Sequence, residues 1–244
     1  MDYLSTFSCI FALLNFMRMS FLKRVYIWCR RFRYRKGYGV HSPFAFKLIT
    51  EVIYEKLPYY AYGELKTLRK KAPKGEPYCA ERVDKLLFKL VNHFQPEYVL
   101  EAGTGAGVEF CYLTAGKADA KCVSLYDGPI SGNDDLKMNP RKNGKVIEGE
   151  LMKALQCELK MMPRIDLLHI AHTGKYRQVY ENCFPYLTEK TLVVISGIHD
   201  DADKQTWWEE LIADKQTGIT FDLYEVGLIF FNRAMNKQHY IVNF

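Results

Sequence analysis

Tyr98-Val99-Leu100-Glu101-Ala102-Gly103-Thr104-Gly105-Ala106-Gly107 is the stretch on which the fold turns. Its first half is apolar apart from Glu101 and reads as a strand, closed by glycines and followed at Val108 to Thr114 by a helical pattern. Glycine at alternate positions lets a chain turn tightly and approach a ligand with no Cβ in the way. Alone, such a bend is explained equally well by a structural turn. In the dinucleotide fingerprint G-x-G-x-x-G/A the third small residue packs helix on strand, and here that place holds Val108, a poor match.

Downstream of the bend, strand and helix patterns alternate. Lys121 to Leu125, Lys145 to Ile147, Asp166 to Ile170 and Thr191 to Ile195 are strand candidates. Leu151 to Met161, Tyr176 to Tyr186 and Lys204 to Ala213 are helical between and after them. Strands separated by helices of about ten residues imply right-handed crossovers and a parallel sheet. Phe221 to Tyr224, Leu228 to Phe231 and His239 to Phe244 then read as an antiparallel edge. The fold class is therefore α/β, a Rossmann-like fold with a mostly parallel central sheet and helices on both faces. In such sheets ligands bind at the carboxyl ends of the strands, where strand order reverses.

Upstream, Val83, Leu86, Leu87, Leu90 and Val91 share one side of a helix from about Ala80 to Asn92, preceded by a loop from Lys70 to Pro77. Ser42-Pro43 starts a helix from about Phe44 to Tyr54, with serine as N-cap and proline in the first turn. Leu4 to Phe32 look helical. The chain divides into an N-terminal helical and basic extension (1–36), a helical cap region (37–95) and a Rossmann-like core (96–244).

The 244 residues carry a formal charge of +6, with 48% hydrophobic and 25% charged residues, a globular balance without a disorder signature. Arg30, Arg31, Arg33, Arg35 and Lys36 form a basic run interleaved with Phe32 and Tyr34. It suits either a solvated helix end or weak contact with an anionic membrane surface. No second basic stripe extends it into a track for nucleic acid. The uncharged stretch from Tyr3 to Met17 is short for a membrane span. It admits three readings: a docking helix, an interfacial helix, or residues upstream of a start near Met17 or Met19. Seven scattered cysteines without C-x-x-C spacing indicate reduced thiols and a cytoplasmic setting, and announce no zinc site.

The acidic residue two places before the first glycine is a feature of loops that bind S-adenosylmethionine. There Glu101 would accept from the ligand's ammonium group while Gly103, Thr104, Gly105 and Gly107 shape the bend. Asp127, followed by Gly128 at the end of the next strand, can accept from both ribose hydroxyls, although an aspartate before Gly-Pro is also a common turn residue. Glu148-Gly149-Glu150 is an adenine contact or merely an acidic helix start.

From about Lys36 onward the chain resembles the class I S-adenosylmethionine-dependent methyltransferases, particularly a Bacteroidetes branch similar to O-methyltransferases. Gly39-Val40-His41-Ser42-Pro43-Phe44, Glu101-Ala102-Gly103-Thr104 and Lys237-Gln238-His239-Tyr240 carry the resemblance. It implies S-adenosylmethionine as cofactor and a small-molecule acceptor. Metal-dependent relatives hold a hard cation on acids after the fourth and fifth strands. Here those places are Ala171 and Ser196-Gly197, so no metal is expected.

Methyl transfer then requires an aligned nucleophile and a base for its proton. His172, His199 and His41 are the candidates; the structural alternatives are a hydrogen bond from His41 across the turn that starts a helix, and His199 capping the last turn before Asp200 and Asp201. The reading is a metal-independent O- or N-methyltransferase. Its rival is a catalytically degenerate relative that binds S-adenosylmethionine as a binding or scaffold module.

Overall fold

A computed structural model of the chain describes residues 25–72, 77–127 and 141–244, without the side chain of Asp127. The central strand β1 (Tyr98–Ala102) pairs in parallel with β2 (Lys121–Asp127) on one side and β4 (Ile165–Ile170) on the other. Covered on both faces, these strands are mostly apolar, with Glu101, Ser124 and His169 the buried polar exceptions. β3 (Gly144–Gly149) lies outside β2, and β5 (Leu187–Ser196) outside β4.

The sheet order is β3-β2-β1-β4-β5-β7-β6-β8, so the order reverses between β1 and β4, beside the glycine bend. β7 (Val226–Phe230) runs antiparallel to both β5 and β6 (Ile219–Asp222). β8 (Gln238–Ile241) adds parallel to β6, so that among the described residues β7 is the one reversed strand of eight.

Two apolar layers sandwich the sheet. One joins α1 (Pro43–Lys47), the turn after it and α3 (Glu81–Phe94) to the sheet through Leu48, Val52, Leu86, Leu90 and Phe221. The other joins α5 (Leu151–Met161), α6 (Tyr176–Cys183) and α7 (Ala202–Ala213) through Leu155, Val179, Trp207 and Trp208. A satellite cluster seats α2 (Ala61–Lys70) on α3 and on α4 (Val108–Gly116), with Tyr59 and Tyr62 packed against it while Tyr60 stands in solvent. The apolar side of α2 is Ala61, Leu65 and Leu68, at i, i+4 and i+7, of which Ala61 and Leu65 are buried.

Ser42 caps α1 as expected, accepting from the Ala45 amide with Pro43 behind it. The α-helix expected through Tyr54 instead widens to a π-helix over Leu48–Ile53, closed by the Tyr54 amide on the Ile49 carbonyl. The buried Lys89 ammonium explains where it stops, donating to the Ile53 and Glu55 carbonyls at 2.8 and 3.2 Å. α6 likewise ends at Cys183 in a 3-10 turn that contains Pro185.

Of the expected N-terminal helix, residues 25–32 are described: 25–30 are helical, and the helix ends two residues early, at a turn on Arg31 followed by a 3-10 turn that Phe32 opens. The apolar stretch before them and Gly128 lie outside the described residues. Among the described residues, no helix is long and apolar enough to cross a membrane. Their six cysteines, Cys29, Cys79, Cys111, Cys122, Cys157 and Cys183, are all free thiols.

Candidate functional site

At the carboxyl edge of the sheet the bend after β1 runs through three left-handed glycines, Gly103, Gly105 and Gly107, the last opening α4. The Gly103 and Thr104 amides both reach the Leu125 carbonyl of β2, which fixes the bend to its neighbour strand. The other side of the bend is closely approached. A Cβ on Gly105 would overlap the Pro77 carbonyl and stand 2.9 Å from the His172 ring. The same Pro77 carbonyl accepts from the Ala106 amide at 3.0 Å, so residues 77–79 lie directly on the loop. Gly105→Ala is therefore expected to lower stability by about 1–3 kcal/mol, combining an alanine at positive φ with a backbone collision. Thermal unfolding reads this, and an unchanged midpoint would mean that residues 77–79 do not rest there.

Under the bend lies a polar chain that crosses four strands. Register places Glu101 of β1 opposite Ser124 of β2 and His169 of β4. Glu101 is wholly buried and accepts from Ser124 Oγ at 2.7 Å and from His169 Nδ1 at 2.9 Å. Thr104 Oγ1 lies 2.5 Å from Ser124 Oγ. On the far side, His169 Nε2 meets Ser196 Oγ at 2.9 Å, and Cys79 Sγ donates to Ser196 at 3.5 Å.

One assignment of protons satisfies every member. Thr104 donates to Ser124 and Ser124 to Glu101, while Cys79 donates to Ser196, Ser196 to His169 and His169 to Glu101. A carboxylate has only acceptors, so it is the natural terminus of two converging donor chains. Glu101, expected to face a ligand's ammonium group, thus has partners from the protein itself. A carboxylate, serine and histidine inside buried strands must be paired. That constraint was the signal available in the sequence for Ser124 and His169.

Adjoining this chain is a second cluster. His172, just beyond β4, places Nε2 2.8 Å from Glu109 Oε1, and Glu109, in the first turn of α4, is fully buried. The Cys79 amide also donates to Glu109 Oε1, at 2.5 Å. Burial works against charge on His172, but the Glu109 carboxylate outweighs it and raises the imidazole pKa. Burial also opposes the charge on Glu109, and its bond to His172 and that ring's charge hold the carboxyl below its usual range. Cys79, Glu109 and His172 come from three separate segments, so no local spacing announces them.

The other expected residues are distributed differently. His199 follows β5 and bonds Asp222 Oδ2 at 2.8 Å while stacking on Tyr224, apart from the His172 cluster in its contacts. His41 is exposed, three residues before Phe44, which lines a cavity at the opposite, amino-terminal ends of the strands with Glu97 and Lys121. Asp127 ends β2 opposite Gly149 of β3. Glu148 and Glu150 are exposed, and Glu150 pairs with Lys153 at 2.7 Å at the start of α5.

The hard-cation site that the resemblance would bring does not fit here. Such an ion needs carboxylate oxygens. Ala171 offers a buried methyl group, and the Ser196 hydroxyl is engaged with His169 and Cys79. Where Gly197 would carry a side chain, the Asp200 carboxylate already stands. Asp201 caps α7, accepting from the Lys204 amide at 2.7 Å.

No protein-family profile matches the sequence, and no curated protein is significantly similar to it. Solved structures do match in fold. An O-methyltransferase from Bacillus cereus, solved with S-adenosylhomocysteine, superposes with a TM-score of 0.53 at 15% identity over 75% of this chain and 96% of its own. TomG, an O-methyltransferase of tomaymycin synthesis from Streptomyces achromogenes solved with S-adenosylmethionine, gives 0.55 at 14% over 72% and 91%. The S-adenosylhomocysteine-bound methyltransferase PaMTH1 of Podospora anserina gives 0.55 at 14% over 72% and 89%. What the chain shares with these enzymes is the fold.

Proposed function

We propose that this chain is a cytoplasmic S-adenosylmethionine-dependent methyltransferase acting on a small-molecule acceptor at oxygen or nitrogen. The observation that carries the reading is the left-handed glycine bend from Gly103 to Gly107, at the point where strand order reverses. Solved methyltransferases of this fold are bound to the cofactor or its product, which supports the same occupant here. S-adenosylmethionine would supply an activated methyl group, leaving the protein to bind, align and remove a proton.

In this reading Gly103, Thr104, Gly105 and Gly107 shape the bend against which the ligand rests. Asp127, with Gly128 beside it, accepts from the ribose hydroxyls at the end of β2. Glu101 stiffens the bend from below through Ser124 and His169. His172 is the base best placed by its partners: with Nε2 donating to Glu109, its Nδ1 accepts the acceptor's proton, and the buried carboxylate steadies the resulting cation. No metal takes part.

Asp127→Ala is expected to weaken S-adenosylmethionine binding roughly 10- to 100-fold, the worth of lost hydrogen bonds to a charged group. Calorimetry should show this with an unchanged unfolding midpoint; equal affinities in both proteins would remove Asp127 from the site.

One observation favours a second reading. Pro77 to Cys79 already occupy hydrogen bonds on the loop, as in a degenerate relative that binds S-adenosylmethionine without turning it over. Incubation with labelled cofactor and a metabolite extract, with and without chelator, separates the two. Formation of S-adenosylhomocysteine that survives chelation supports the enzyme. Binding without product supports the scaffold, and absence of binding ends both.

A further inference from the structure

We infer that Cys79, Glu109 and His172 form a binding site for a zinc-class divalent cation. Their donor atoms, a thiol sulfur, a carboxylate oxygen and an imidazole nitrogen, all lie within 4.8 Å of one another. His172 Nε2 is 2.8 Å from Glu109 Oε1 and 3.9 Å from Cys79 Sγ. Around a tetrahedral zinc ion with ordinary bond lengths such donors stand about 3.3–3.6 Å apart. Closing on an ion would thus open the first separation by about 0.5 Å and shorten the second by about 0.3 Å. The donor set of one thiolate, one imidazole and one carboxylate suits zinc or cobalt rather than magnesium or calcium.

A second observation points to an absent partner. Glu109 is fully buried, yet its Oε2 has no hydrogen-bond partner among the described residues. A buried carboxylate oxygen left without a donor is costly, and a cation beside it would relieve that cost. The carboxylate is also held in place, because the Cys79 amide fixes Oε1 from the segment that supplies the thiol. His172 and Cys79 are only partly buried, so an ion can reach the cluster from solvent and keep a water as its fourth ligand.

Binding would release the Cys79 thiol proton to solvent and move the His172 ring proton from Nε2 to Nδ1, leaving a thiolate and a neutral ring on the ion. Cys79 would then stop donating to Ser196, which keeps its own bond to His169. The ion would clamp residues 77–79, α4 and the end of β4 together over the glycine bend. His172 cannot at once ligate through Nε2 and donate that nitrogen's proton to Glu109, so metal loading and its use as a base exclude each other. The site stands independently of the cofactor reading, since ion binding is measurable without turnover.

The test uses the full chain, stripped by chelator under reducing conditions and titrated with Co2+, then Zn2+. The expected result is one equivalent of cobalt with an intense thiolate charge-transfer band and visible bands of a tetrahedral ion, displaced by one equivalent of zinc. Cys79→Ser should abolish the charge-transfer band, and Glu109→Gln should weaken zinc binding at least tenfold. The double variant Cys29→Ser/Cys157→Ser, which removes the exposed thiols among the described residues, should retain both properties. In wild-type protein, zinc should protect Cys79 but not Cys157 from alkylation, read by peptide mass, which keeps the test valid if a variant misfolds. Absence of the band, or a band unchanged in Cys79→Ser, overturns the site, as does alkylation of Cys79 at an undiminished rate.

Discussion

Replacing Glu101 by alanine is expected to lower the unfolding midpoint by roughly 10 °C, the equivalent of about 3–5 kcal/mol in a domain of this size. The side chain has no exposed surface and ends two donor chains, one through Ser124 from Thr104 and one through His169 from Ser196 and Cys79. Alanine leaves the Ser124 hydroxyl and His169 Nδ1 without an acceptor in a place water does not reach, and adds a cavity.

Glu101→Gln should be much milder, about 1–2 kcal/mol, for a specific reason. The amide can accept from Ser124 with its oxygen and donate to His169 with its nitrogen, provided His169 moves its proton from Nδ1 to Nε2 and the bonds toward Ser196 and Cys79 reverse. Thermal unfolding gives the two magnitudes, and nitrogen chemical shifts of His169 report the exchanged tautomer. A Glu101→Ala protein within 3 °C of wild type would show that the chain contributes nothing beyond filling space.

That chain also marks where sequence reasoning stops. Local patterns are enough for β1, its glycine bend and the apolar side of α3, because residues 2, 3 or 4 apart settle them. Glu101, Ser124 and His169 meet only through register, 23 residues apart on one side and 68 on the other. Before the strands are paired, Glu101 is an isolated acid beside a ligand loop, and a ligand is the only partner in view. Cys79 and Glu109 escape for the same reason: one lies in an irregular segment, the other in a helix apolar on almost every side.

The π-helical turn after α1 fails differently, since the Lys89 ammonium that holds its end belongs to another helix. His41 and His199 were legible as histidines near element ends. Which edge of the sheet each occupies was not.

A second buried carboxylate, toward the far edge of the sheet, carries an effect of similar size. Asp222→Ala is expected to cost about 3–5 kcal/mol, the usual result of removing one partner from a buried ion pair. Asp222 Oδ1 accepts from Arg31 at 2.8 Å and from the Tyr224 amide at 2.7 Å, and Oδ2 meets His199 at 2.8 Å. One carboxylate therefore ties the N-terminal segment, the loop after β5 and the turn between β6 and β7. Arg31 also lies over the Tyr224 ring at 5.2 Å, so this member of the basic run is structural.

Burial opposes the charge on Asp222, but hydrogen bonds from His199 and Arg31 and their positive charges prevail, holding the carboxyl well below the usual carboxylate range. A folded-state pKa below the unfolded one means the unfolded chain takes up the proton first. Its contribution to stability is then complete above about pH 4 and drains away as pH falls further toward the folded value. Midpoints measured from pH 6 down to pH 2.5 should fall more steeply for wild type than for Asp222→Ala, bringing the curves together in acid. Limited proteolysis at neutral pH should cut the variant first between residues 25 and 36, where Arg31 has lost its anchor. Curves that stay parallel across that range would place the acid sensitivity elsewhere and leave Arg31 a surface charge.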